Sequence, residues 1–141
     1  MKTVSVLLAV LVFVMFGAAV SRAEELDPSK ALVGKWEGQY VKDPADVSGD
    51  NARTLVIVRV QQQDGKWVVS EAKWGISGGR LAPVEVKLEV IDGVPTIHFE
   101  PTPMNPVMLR LTPEGLTGTI KMLSRGRGGW GVRPMKLKRV E

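Results

Sequence analysis

The segment Val84–Gly93, VEVKLEVIDG, alternates without a break. Val84, Val86, Leu88 and Val90 fall on one side, and Glu85, Lys87 and Glu89 on the other. A period of two is that of a half-buried β-strand, whose successive side chains point to opposite faces. The pattern recurs along the chain and predicts strands at Lys35–Val41, Thr54–Gln62, Trp67–Trp74, Val84–Ile91, Thr96–Glu100, Val107–Thr112, Leu116–Leu123 and Val132–Val140. Asp64-Gly65, Asp92-Gly93 and Pro113-Glu114-Gly115 supply tight hairpin turns between them. Residues 26–34, LDPSKALVG, read as one short helix, with Asp27 as its cap, Pro28 in its first turn and Gly34 past its end. The fold class that follows is all-β: an eight-stranded antiparallel up-and-down barrel with one short N-terminal helix. A barrel is favoured over a meander sandwich because closure removes exposed strand edges.

One inward face can be traced around such a barrel. It comprises Trp36, Gly38, Tyr40, Val84, Val86, Leu88, Val90, Ile97, Phe99, Val107, Leu109, Leu111, Leu116, Gly118, Ile120, Met122, Met135 and Leu137. Two strands depart from alternation. LVIVRV (55–60) and WVVSEAKW (67–74) carry apolar residues on both faces. Their outer side calls for a cover: the 28–33 helix, a ligand, or a second copy in a homodimer formed through strands 55–60 and 67–74.

The N-terminus reads as a secretory signal peptide over residues 1–23. Lys2 is followed by an apolar run from Val4 to Val20, then Ser21 and Ala23 at the spacing of a signal peptidase site. Cleavage after Ala23 leaves a single domain, 24–141, without a membrane span, and predicts a secreted or periplasmic protein. The alternative is retention of the run as an anchor. Removal of Lys2 and Arg22 lowers the net charge from +4 to +2. So slight an excess does not require a nucleic-acid partner, although SRGRGGWGVRP (124–134) has the composition of an RNA-binding segment. With no cysteine in the chain, disulfides, thiol chemistry and cysteine-based metal sites are excluded.

Catalytic chemistry finds little support. His98 is the only histidine and alternates outward between Ile97 and Phe99, so neither a Ser-His-Asp system nor a metal site is expected. Glu37, Glu71, Glu85 and Glu89 are the candidates for an acid–base pair, but Glu37, Glu85 and Glu89 fall on the solvent face. No cofactor is expected and the chain is not read as an enzyme. The tryptophans say more. WGISGGRLAP (74–83) and WGVRP (130–134) each set a tryptophan beside glycines, arginine and proline. An indole ring stacks on sugars or aromatic groups, and a guanidinium pairs with carboxylate or phosphate. Trp74, Arg80, Arg125, Arg127 and Trp130 are therefore the candidate ligand-binding residues, at a mouth formed by Gly75–Pro83 and Ser124–Gly131.

The opening LDPSKALVGKWEG resembles the start of lipocalin and calycin proteins, with a short helix and then Gly34-Lys35-Trp36 on the first strand. The resemblance implies a barrel closed at the end where Trp36 packs, with an arginine of the last strand, Arg133 or Arg139, lying across the indole. It also implies a small hydrophobic ligand inside the barrel, to which the tryptophans and arginines add an anionic or sugar ligand at the mouth. The alternative reading is a structural or protein-interaction β-module without a small ligand.

Overall fold

The computed structural model describes residues 26–43, 50–124 and 129–140. The expected signal peptide, with its cleavage site, lies outside them. Asp27 caps a single helical turn, α1 (Pro28–Leu32), its side chain accepting a hydrogen bond from the Ser29 amide. The remaining elements among the described residues are strands: β1 (Gly34–Tyr40), β2 (Ala52–Gln63), β3 (Lys66–Ile76), β4 (Ala82–Pro83), β5 (Val86–Ile91), β6 (Val94–Phe99), β7 (Val107–Thr112), β8 (Gly115–Ser124) and β9 (Gly129–Arg139). At the β2–β3 and β5–β6 hairpins, Asp-Gly pairs hold both residues at positive φ (Asp64 52°, Gly65 76°; Asp92 52°, Gly93 78°). That is the two-residue turn whose twist matches the flanking strands.

The strands form one antiparallel sheet in the order β4-β3-β2-β1-β9-β8-β7-β6-β5. First and last strands pair, from Trp36 opposite Arg139 to Tyr40 opposite Met135, and the sheet curls on itself. Two features differ from the expected eight-stranded closed barrel. The predicted strand Val84–Ile91 is divided into β4 and β5, which gives nine strands. The ladder also does not close, because β5 pairs with β6 alone. Pro83 explains the division. It sits opposite Lys73 without an N–H to donate, and after one further backbone bond, from the Val84 amide to Ala72 O at 3.0 Å, the chain leaves β3.

Close backbone packing sets the curl at two inward glycines. A Cβ on Gly38 would stand 1.9 Å from Lys136 O, and one on Gly118 would stand 1.8 Å from Met108 O. Neighbouring strands fill the space any side chain would need. The core inside contains most of the expected face, including Trp36, Tyr40, Phe99, Leu109, Ile120 and Leu137. Leu32 of α1 joins it.

β2 and β3 resolve the two-sided apolar pattern. The register slips between Ile57 and Val60, opposite Ala72 and Val69. Such an irregularity re-aims the side chains that follow it. Leu55 and Ile57 face the core before the slip, and Val60 faces it after. Each strand thus presents one parity in one half and the other parity in the other half. Val58 stays 40% exposed on the outer side.

Candidate functional site

The up-and-down order gives the curled sheet two different ends. At one end lie α1, the start of β1, the end of β9 and the tight turns at 64–65, 92–93 and 113–114. This end is sealed. The Trp36 indole N–H donates to Leu32 O at 2.9 Å. Of the two candidate arginines, Arg139 is the one that crosses the indole, its guanidinium 4.8 Å from the ring centroid. It also donates to the carbonyls of Lys30 and Ala31, the orphan acceptors of a helix C-terminus. Helix, first strand and last strand are thereby joined by one cation.

At the opposite end the strands run into longer connections: 41–51, 77–81, 100–106 and the segment after Ser124. The 77–81 connection is tied to the start of β2. Ser77 donates its amide to Ala52 O at 3.2 Å, and its hydroxyl lies 2.8 Å from that of the buried Thr54. The Arg53 guanidinium lies 5.2 Å from the Tyr40 ring centroid and donates to Asp50 O. Arg133 alternates inward with Met135 and Leu137 along β9. It pairs at 3.1 Å with Asp43, with side-chain exposures of 22% and 8%. A half-buried guanidinium in a fork geometry is suited to bidentate pairing with a carboxylate or phosphate.

The residues expected to bind ligand fall into three groups. Trp74 is 8% exposed, and its ring meets Phe99 edge-on at 5.0 Å and 68°. Trp74 is thus a buried core residue rather than an open stacking platform. Arg80 is exposed on the 77–81 connection. Arg125 and Arg127 lie outside the described residues, and so does the side chain of Trp130, whose backbone on β9 pairs with Leu123 of β8. The structure brings the 77–81 connection, the end of β8 and the start of β9 to the same end of the sheet. The Asp43–Arg133 pair was not among the expected site residues. Its signal was the alternation Arg133, Met135, Leu137, which turns a charge inward.

Described core side chains, among them Ile97, Phe99, Leu109 and Ile120, pack inside the curled sheet. Described concavities lie instead on the outer wall, at the sealed end and along the open seam. One of about 570 Å³ lies outside β1, β8 and β9 around Gln39, Thr117 and Lys136. Another of about 470 Å³ lies between the β2–β3 turn and β5. Glu37 pairs with Lys35 at 3.4 Å, and Glu71, Glu85 and Glu89 are exposed. His98 faces outward, opposite Lys87 and Met108. Among the described residues no three His, Cys, Asp or Glu cluster as metal ligands, and no helix is long and apolar enough to cross a membrane. Comparison of the chain with protein families, curated proteins and solved structures finds no match.

Proposed function

We propose that this chain is an exported, lipocalin-like binding protein that takes a small anionic ligand at its mouth. The observation that carries this reading is the inward, half-buried Arg133 at the open end, paired with buried Asp43, while Trp36 and Arg139 seal the other end. The packed core of described side chains favours shallow binding. In this reading the ligand's acid group meets Arg133, its apolar body lies over the floor that includes Trp74, and Arg80, Arg125, Arg127 and Trp130 form the rim. A site of this kind combines apolar burial with a few directed polar groups.

Intrinsic tryptophan fluorescence, titrated with a fatty acid, an aromatic acid and an acidic oligosaccharide, tests the reading. Saturable quenching by at least one is expected, weakened at least tenfold in Arg133→Gln. No saturable change with any of the three would refute it.

A further inference from the structure

The open seam of the sheet has chemistry of its own. β3 is paired on its second edge only at Lys73 and Trp74, with β4, and at Ala72 through the Val84 amide. β5 is unpaired on the edge away from β6. Two antiparallel edges therefore face each other with free backbone donors and acceptors, and they remain close neighbours in space. Toward the β2–β3 turn they part around the concavity of about 470 Å³. Half-buried Trp67, Val69 and Leu88 pack against the core there, and Val90 is 45% exposed. Lys66 and Glu89 stand at the lips with opposite charge.

Unpaired strand edges bind extended chains by main-chain hydrogen bonding, with selectivity from pockets that take alternate side chains. A compact apolar ligand would leave those backbone groups unmet, whereas a peptide strand satisfies them and fills the apolar space together. We propose that the wedge between β3 and β5 binds an extended peptide, seating one apolar side chain over Trp67 and Leu88 and orienting its flanking charges by Lys66 and Glu89. This site is separate from the mouth and does not depend on the function proposed for it.

The probe is the pentapeptide acetyl-Glu-Val-Leu-Val-Lys-amide, added to the whole protein and followed by amide hydrogen exchange and NMR chemical shifts. Amides of 66–71 and 86–91 that exchange freely in the unliganded protein are expected to slow at least tenfold at saturation. Val90→Lys, at an exposed edge position, should weaken binding at least tenfold. Val132→Lys, exposed on the outer wall, should leave it unchanged. A peptide with proline in place of leucine should not bind, because it loses the central N–H. Equal binding by the proline peptide, or no binding by the pentapeptide at millimolar concentration, would overturn the proposal. So would protection of both edges before peptide is added, whether from closure of the seam on itself or, if light scattering shows a dimer, from pairing with a second copy.

Discussion

Trp36 shows how much a single side chain organises here. Its N–H satisfies a buried carbonyl of α1 and its face takes the Arg139 cation. Trp36→Phe keeps a ring for the cation but orphans Leu32 O. A loss of about 1–3 kcal/mol is expected in urea unfolding. Gly118 acts by absence. Gly118→Ala puts a methyl into Met108 O, and overpacking of this kind costs about 1–3 kcal/mol or more, read as a lower melting temperature. Asp27 gives a pH dependence. Its hydrogen bond from the Ser29 side chain comes first among the causes that hold its carboxyl below the ordinary value of 3.8, with the Ser29 amide and Lys30 adding to it. A folded-state pKa below the unfolded one means that its contribution is complete above about pH 4 and is lost as pH falls through the lower folded value. An NMR titration should find the Asp27 pKa depressed, and Ser29→Ala should return it toward 3.8. The caps and the Gly-Lys-Trp opening were legible as residues. Which arginine covers Trp36 was not, since Arg133 and Arg139 lie on the same strand and only the pairing of β9 with β1 decides between them.

The strands themselves were legible because alternation records which face is wet. Their starts and turns fall close to the expected places, above all where Asp-Gly fixes a hairpin. Two elements were less readable, each for a local reason. Pro83 interrupts the fourth strand by removing a ladder donor, and this converts an expected closed barrel into an open one. The slip in β2 and β3 reverses parity in mid-strand, so that strict alternation from Ile57 would send Arg59 inward and Val60 outward. The observed burial is 7% exposure for Val60 and 40% for Val58. Val60→Asp should therefore destabilise the protein by roughly 3 kcal/mol or more, as a charge buried without a partner. Val58→Asp should stay within about 1 kcal/mol, as a surface change. Comparable losses for the two variants in urea unfolding would contradict the register described.

At the scale of the whole molecule, the two ends of the sheet differ. Tight turns, α1 and the Trp36–Arg139 contact close one end, while the 77–81 and 100–106 connections and the Arg133–Asp43 pair lie at the other. The sequence carried the clustering of glycine, arginine and tryptophan at 74–83 and 124–134. It did not carry the burial of Trp74, which depends on Phe99 arriving from another strand, nor the inward ion pair, whose partners are 90 positions apart. The most direct test of the account is a chemical-shift map of the protein with the best-binding acid from the fluorescence titrations, repeated in Arg133→Gln. Saturable shifts are expected at Tyr40, Arg53, Ser77, Arg80 and Arg133, absent at Trp36 and Arg139, and lost in the variant with the fold intact. Shifts confined to the sealed end, or a map unchanged by Arg133→Gln, would contradict binding at the mouth.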